Sequence, residues 1–178
     1  IDDVTVTASV DASLTFTVSG VDNGTVINGV TTTGTSTATA LAFGTLNTSA
    51  SSTLGQQLTV STNATNGYVV TVQQDQELTS AAGANINSFN NSPDGTGSTT
   101  PETWKAPRAE LDNTYTYGHM GLTTDDSDSG LGFDGSKYAG LNDTDPMTIM
   151  KHNGPADGST QNKGLAKVAY TIEITDLQ

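Results

Sequence analysis

The sequence predicts an all-β protein: an antiparallel β-sandwich, of jelly-roll or immunoglobulin-like type, with long polar loops. Three observations support this prediction. Short runs of alternating apolar and polar residues recur, turn signals such as Asn-Gly separate them, and no stretch has the apolar spacing of an amphipathic helix. A length of 178 residues is enough for one domain with a core, so residues 1–178 are treated as a single domain, loop-rich over residues 76–135.

Two strands, or one strand bent near Asp11, are predicted within residues 1–19. In the first, valine and alanine alternate with threonine and serine up to Val10; in the second, Leu14, Phe16 and Val18 alternate with threonine. Residues 20–35, with turn signals at both Asn23-Gly24 and Asn28-Gly29, then predict a short hairpin, and residues 36–46 predict a further strand.

The clearest pattern lies in residues 58–73. Two alternating runs, residues 58–62 and residues 68–72, flank Asn66-Gly67. Because Asn and Gly both tolerate the positive φ of a type I′ turn, this spacing predicts that the two runs pair as a β-hairpin.

The second half of the chain predicts fewer strands. These are residues 114–122, 147–152 and 164–175, and Trp104 is expected to pin the polar loop before it to the body. In the last strand, Ala166, Val168 and Ile172 are expected to face the core, and Lys167 and Thr171 are expected to face solvent.

Charge and composition exclude several classes of function. The formal net charge is −13, and no Lys or Arg precedes Lys105, so the surface repels nucleic acid and anionic lipid. The absence of cysteine excludes disulfides, thiolate catalysis and zinc–thiolate sites. No apolar run is long enough to predict insertion into a membrane.

Composition also predicts a location. Thr, Ser, Asn and Gly are abundant and Lys is scarce, which is typical of secreted surface and fibre proteins. A first residue of Ile1 rather than Met is expected of a mature chain whose signal peptide has been removed. The predicted location is therefore secreted, either extracellular or at the cell surface.

Five segments carry a resemblance to a known family: VTVTASVDASLTFTVSGV, LAFGTL, QQLTVSTNATNGYVVTVQQDQ, TYGHMGL and GPADGSTQNKGLAKVAYTIEI. Together they resemble a family of uncharacterised secreted prokaryotic surface proteins found in environmental and candidate-phylum genomes, and this resemblance implies a location at the cell surface. An N-terminal valine/threonine strand before a threonine-rich domain is also similar in architecture to subunits of donor-strand filaments, such as TasA-like fibre proteins and archaeal bundling pili.

The resemblance also predicts how copies would assemble. Family members continue past the equivalent of Asp176 into one more strand, and without it the sheet has an open slot beside an apolar strand, which is a template for pairing. A neighbouring copy can fill such a slot by donor-strand addition, and head-to-tail addition that does not close forms a fibre. The alternative, that residues 1–10 pair within their own subunit, stays open. The candidate donor side chains are Val4, Val6, Ala8 and Val10.

An acidic, glycine-rich loop is a candidate calcium site. Calcium takes six to eight oxygen ligands, which clustered carboxylates and loop carbonyls can supply, although the spacing is not that of an EF-hand. Bound Ca²⁺ would also reduce the repulsion between acidic subunits. The alternative is a solvated acidic loop. The candidate ligands are Asp125, Asp126, Asp128 and Asp134.

No motif indicates an enzyme, and no catalytic residue is predicted. His119 and His152 could form a site only if the fold brought them together, and the metalloprotease, serine-hydrolase and phosphate-binding patterns are absent from the sequence.

Two features of the sequence are relevant to glycans: glycosylation sequons and aromatic side chains. Five Asn-x-Ser/Thr sequons are candidates for N-glycosylation, at Asn23, Asn47, Asn63, Asn90 and Asn142. Aromatic side chains could form a platform for sugar, although packing in the core is the alternative; these are Tyr68, Trp104, Tyr115, Tyr117 and Tyr138.

Two functions follow from these observations. The first is a structural subunit of an extracellular pilus-like filament or surface layer, which polymerises with copies of itself through its N-terminal strand. The second is a monomeric secreted module that binds carbohydrate or another surface ligand.

Overall fold

The computed structural model describes residues 7–89, 100–127, 130–141 and 143–178. Within these ranges there is no α-helix, and one 3₁₀ turn is present (Thr114–Thr116). Thirteen strands form a curled mixed sheet and three small two-stranded sheets. The all-β prediction is confirmed. The strands are β1 (Leu14–Gly20), β2 (Val26–Ile27), β3 (Val30–Thr31), β4 (Ser52–Thr62), β5 (Tyr68–Val72), β6 (Leu78–Thr79), β7 (Asn85–Ser88), β8 (Glu102–Thr103), β9 (Gly118–Thr124), β10 (Lys137–Tyr138), β11 (Met147–His152), β12 (Ala156–Asp157) and β13 (Leu165–Ile174).

The main sheet has the order β1-β4-β13-β9-β7-β6, and β12 also pairs with β4. Most neighbours are antiparallel, but β7 runs parallel to β9, which the sequence pattern did not predict. The small sheets pair β5 with β11, β8 with β10, and β2 with β3. A sandwich of two antiparallel sheets stays a prediction.

The main core joins the main sheet to the β5–β11 sheet. Apolar side chains at every second position of a strand share one face, so alternation along these strands directs them into a common cluster. Leu131 and Phe133, from the acidic loop, complete it. The strands contribute Leu58, Val60, Leu122, Val168 and Ile172 from the main sheet and Tyr68, Met147, Ile149 and Met150 from β5 and β11.

A second, smaller cluster covers the opposite face of β13. It consists of Val21, Ile27 and Ala169, all buried, and the β2–β3 hairpin supplies Ile27. This hairpin turns at Asn28-Gly29 with φ of 45° and 82°, so the turn expected there is confirmed. Because both faces of β13 are covered, the prediction that Thr171 faces solvent is wrong: its side chain is buried.

The predicted hairpin at residues 58–73 is wrong, although both of its strands exist. β4 pairs with β1, β12 and β13, whereas β5 pairs with β11, so the chain passes from one sheet to another at this turn. The type I′ geometry is not formed, because only Gly67 of the Asn66-Gly67 pair has positive φ, at 71°.

The predicted strand at residues 36–46 is also absent. Ser36 is buried, and its hydroxyl accepts a hydrogen bond from the Val21 amide and donates one to the Gly55 carbonyl, which fixes the chain in an irregular path. Phe43 and Leu46 still pack against the core from this segment. Side-chain bonding of this kind competes with a β-ladder, and alternation alone cannot reveal it.

Candidate functional site: an apolar groove at the edge of the sheet

The edge strand β1 turns its apolar face toward the core but is not covered there. In its register with β4, Leu14 lies opposite Thr62 and Phe16 lies opposite Val60. Residues directly opposite in a ladder share one face, and both partners on β4 are buried. Leu14 is nevertheless 62% exposed and Phe16 is 46% exposed. Among the described residues, β1 pairs with β4 alone, so no strand lies beyond it to cover these side chains.

The second wall of this exposed region is β5. Like β1, it has one partner among the described strands, β11, so its other backbone edge is open as well. Between the two edges lies a cavity of about 270 Å³, here named the edge groove. Its lining is almost wholly apolar and consists of Leu14, Phe16, Val60, Tyr68, Val69, Val70 and Thr71.

Residues 7–13, the described residues before β1, do not turn back into the edge groove. Asn63 holds this segment from the turn after β4: the Asn63 Oδ1 accepts from the Ser13 amide at 2.8 Å, and the Asn63 Nδ2 donates to the Asp11 carbonyl at 2.8 Å. The Thr62 hydroxyl also donates to the Ser13 carbonyl at 2.6 Å. These bonds continue the line of β1 past the end of β4, so the chain arrives from beyond the groove.

The predicted donor side chains are only partly described. Ala8 and Val10 are exposed, Val10 at 86%, and residues 7–13 form no strand. Val4 and Val6 lie outside the described residues. The described part of the segment therefore does not pair with its own sheet.

The open slot lies beside β1 and β5, and not beside β13. β13 is paired along both edges, with β4 over Leu165–Ile172 and with β9 over Val168–Ile174. The sequence predicts an open edge but does not indicate which strands border it, because strand order depends on pairings between distant parts of the chain. The groove residues on β5 were therefore missed, although their alternation was visible.

The first two aspartates of the acidic loop accept hydrogen bonds from the protein. Asp125 Oδ1 accepts from the Lys167 amide at 2.6 Å and from the Gln161 side chain at 3.0 Å. The buried Asp126 accepts from the Lys151 amide at 3.0 Å. These bonds fasten the loop to β11 and β13. Asp134 is exposed and Asp128 lies outside the described residues; within the described ranges, no three acidic or His side chains form a metal-binding group.

The glycosylation candidates differ in their surroundings. Asn23 and Asn47 are exposed in turns, and the Asn47 side chain accepts a hydrogen bond from the Ser49 amide. Asn63 is the residue that holds the N-terminal segment, and a glycan would have to be attached to the same Nδ2 that bonds Asp11. Asn90 and Asn142 lie outside the described residues.

The two histidines are in different sheets. His119 is buried in β9, where its ring nitrogens lie 3.1 Å from the Tyr115 carbonyl and 3.4 Å from the Lys105 carbonyl. His152 lies in β11, opposite Tyr68. Hydrogen bonds to backbone carbonyls give His119 a structural role.

The five aromatic candidates do not form one platform. The Trp104 ring stacks on Phe89 with centroids 4.7 Å apart, and its Nε1 donates to Glu173 at 2.8 Å, so it anchors the polar loop as expected. Tyr138 packs against Trp104 within this cluster, and Tyr68 is in the core. Tyr115 and Tyr117 instead line a separate cleft at the other end of the main sheet.

Comparison with known proteins does not assign this chain to a family. No protein-family model, curated protein or solved structure matches this chain. The residues that the structure describes include no helix with the length and apolar content needed to span a membrane.

Proposed function

We propose that this protein is a structural subunit of an extracellular pilus-like filament or surface layer, in which the N-terminal strand of one copy fills the edge groove of the next. One observation carries the proposal: the core-facing side chains Leu14 and Phe16 are exposed, because the strand that would cover them is missing from the described fold.

The chemistry of the edge groove matches an added β-strand. The open edge of β1 offers unpaired backbone N–H and C=O groups, and an incoming strand satisfies them while it buries apolar side chains. Burial contributes about 25 cal/mol per Å² of apolar surface, so covering an apolar groove favours association. In residues 4–10, Val4, Val6, Ala8 and Val10 would enter the groove, while the threonine and serine between them would face solvent.

The direction of the N-terminal segment favours a donor from a neighbouring copy. Asn63 bonds both Asp11 and Ser13, so no reversal occurs between these residues and β1. The described residues before β1 continue its line past the end of β4, so the residues that precede them can reach a second copy placed beyond that end. Because the donor and the acceptor are different surfaces, the contact is head-to-tail and repeats as a fibre.

Charge sets a condition on assembly. Each copy carries a net charge of −13, so copies repel one another unless salt or bound cations screen them. We therefore expect assembly to be faster at higher ionic strength. Calcium binding at the acidic loop stays a prediction. If bound Ca²⁺ promotes assembly, CaCl₂ should increase it more than MgCl₂ does at matched ionic strength.

The test compares the full chain with a chain that lacks residues 1–10. Electron microscopy and light scattering should show filaments for the full chain and a folded monomer for the truncated chain. A synthetic peptide of residues 1–13 should bind the truncated chain, because its groove is then empty. Filaments formed equally well by the truncated chain would refute the donor role of this segment, and a full chain that stays monomeric under all salt conditions would refute assembly.

A matched pair of variants tests the groove itself. Phe16→Ala removes an exposed groove side chain, whereas Val26→Ala removes an exposed apolar side chain outside the groove. Both should fold as the parent does, since surface substitutions change stability by only about 0.5 kcal/mol. Phe16→Ala should slow or abolish assembly, and Val26→Ala should not. Equal effects of the two variants would contradict the proposed location of the acceptor.

A further inference from the structure

A second cavity, of about 330 Å³, lies far from the edge groove. It is named here the tyrosine cleft, and it is bordered by the 3₁₀ turn at Thr114–Thr116 and by the residues around β6 and β7. The side chains that matter for its chemistry are Glu77, Asn85, Asn87, Tyr115, Tyr117 and Gln178. We infer that the tyrosine cleft binds a neutral carbohydrate.

One wall of the cleft is aromatic and is held in a fixed position. Tyr115 is 50% exposed, although a ring of this size normally gains by burial. Its backbone is held by the 3₁₀ turn, in which the Tyr117 amide donates to the Thr114 carbonyl at 3.3 Å, and by the His119 ring beside the Tyr115 carbonyl. A half-exposed ring with a polar tip on a well-held backbone suits the apolar face of a sugar, which also carries hydroxyls at its rim.

The other wall supplies acceptors and donors. The Asn87 Nδ2 donates a hydrogen bond to the Thr114 carbonyl at 3.2 Å. The Gln178 Nε2 donates one to the Asn85 carbonyl at 3.0 Å. These bonds orient both amides. Glu77 holds one oxygen 3.4 Å from the Ser88 amide, and a carboxylate has acceptor capacity for several hydroxyl groups. The exposed Asn85 amide and the Glu77 carboxylate are the groups in this wall that can bond sugar hydroxyls, which both donate and accept.

The charge of the cleft selects among polar ligands. Its lining contains no Lys, Arg or His among the described residues, and Glu77 is its acidic side chain. On a chain of net charge −13, this site repels phosphate, sulfate and carboxylate groups. The volume is at the small end of the range for small-molecule sites, which fits one end of a glycan better than a long stretch of it.

This inference does not depend on assembly. β1, which borders the edge groove, and β6, beside the cleft, are at opposite ends of the strand order β1-β4-β13-β9-β7-β6. Filling the groove therefore leaves the cleft open. A filament subunit with such a cleft would present one sugar site per copy, and many weak sites on one polymer together bind a glycan-coated surface with high avidity.

Calorimetric titration of the full chain tests the inference with defined probes: cellotetraose, mannotetraose and N-acetylchitotetraose, with a heparin tetrasaccharide as the anionic control. At least one neutral probe should bind saturably and the anionic one should not. Tyr115→Ala should weaken binding at least about tenfold, and Asn85→Ala should weaken it less. Leu111→Ala, at an exposed position outside the cleft lining, is the matched control and should bind as the parent does.

The thermal unfolding midpoint of each variant shows that it is folded. Binding of no neutral probe at millimolar concentration would overturn the inference, as would tighter binding of the heparin tetrasaccharide. So would binding that Tyr115→Ala and Leu111→Ala leave equally strong. Phe16→Ala should retain sugar binding, which separates failure of assembly from failure of this site.

Discussion

The strands β1 and β13 carry similar alternating patterns but have opposite surroundings. β13 lies between β4 and β9 and has clusters over both faces, so even its polar Thr171 is buried. β1 has one described partner, and its core-facing Leu14 and Phe16 are exposed. Alternation determines which face a side chain takes, but the neighbouring strands determine whether that face is covered. The difference marks β1 as a strand whose core-facing side chains Leu14 and Phe16 are left uncovered by the described residues.

Truncating one core-facing side chain on each strand should separate β1 from β13 most strongly. Ile172→Ala on β13 removes a side chain that is 2% exposed, and we expect it to lower the free energy of unfolding by about 2–5 kcal/mol. Leu14→Ala on β1 should lower it by only about 0.5 kcal/mol, because most of that side chain is in water. Urea unfolding at low salt, where copies repel, measures both.

The same pair separates folding from assembly. Leu14→Ala should impair filament formation while leaving the subunit stable. A loss of several kcal/mol in the Leu14→Ala subunit would show that β1 is covered in the isolated protein, and the comparison would fail.

Two glycine turns test how firmly the second wall of the groove is placed. Gly67 leads into β5 with φ of 71°, and a Cβ there would overlap the His152 carbonyl oxygen. Gly24 has φ of 82°, but open space surrounds it. A left-handed conformation costs an L-residue about 1–2 kcal/mol, and the overlap adds to it, so we expect Gly67→Ala to cost about 2–4 kcal/mol.

Gly24→Ala is the matched control and should cost only the conformational part, about 1–2 kcal/mol. Thermal unfolding measures both variants. Gly67→Ala should also weaken binding of the 1–13 peptide to the truncated chain, because relief of the overlap with His152 would move β5 relative to β11 and so change the shape of the groove. Equal stability of the two variants would indicate that the turn can adjust without moving β5.

The part of this fold that the sequence could predict is the part set by local pattern. The alternation of β1, β11 and β13 gave their positions, and Asn28-Gly29 gave a true type I′ turn because its two strands have no competing partner. At Asn66-Gly67 the same signal failed, because β4 and β5 each have a better partner elsewhere in the chain. Pairing between distant strands is decided by the whole fold, which no short window contains.

The candidate site divides in the same way. An exposed edge and an N-terminal donor could be predicted from alternation, but the location of the groove depends on the order of strands. The role of Asn63, which a sequon pattern presents as a glycosylation site, depends on its contact with Asp11 and Ser13. The tyrosine cleft combines residues about a hundred positions apart, so aromatic residues could be noted in the sequence but not assembled into a site.

The threonines on the face away from the main core, buried on β13 and exposed on β1, give a smaller contrast between the two strands. On β13, the Thr171 hydroxyl lies 2.9 Å from that of Thr53 and also bonds the buried Tyr138 hydroxyl. Thr171→Val would remove the hydrogen bonds between Thr171 and the Thr53 and Tyr138 hydroxyls. We expect this change to lower the free energy of unfolding by about 1–3 kcal/mol. Thr17→Val, on the exposed face of β1, should be within about 0.5 kcal/mol of the parent.

Thr53→Val sharpens this test. It removes one partner but leaves Thr171 bonded to Tyr138, so we expect a smaller loss than for Thr171→Val. Urea unfolding of the three variants ranks them. If Thr53→Val costs as much as Thr171→Val, the link to Tyr138 does not contribute to stability.

Burial of Tyr170 on β13 predicts a loss of stability that begins only above about pH 10. Desolvation raises the pKa of Tyr170 to about 12, from an ordinary value of 10.0. A folded-state pKa above the unfolded-state pKa means that the unfolded chain loses its proton first as the pH rises. The stabilising contribution of the neutral phenol is therefore fully present below pH 10 and is lost progressively between about pH 10 and 12.

Tyr170→Phe should make the free energy of unfolding less dependent on pH over this window, as measured by urea unfolding at several pH values. An unchanged slope would show that the Tyr170 hydroxyl is as well solvated in the folded protein as in the unfolded chain, and β13 would then be less enclosed at this position than its pairing on both sides indicates.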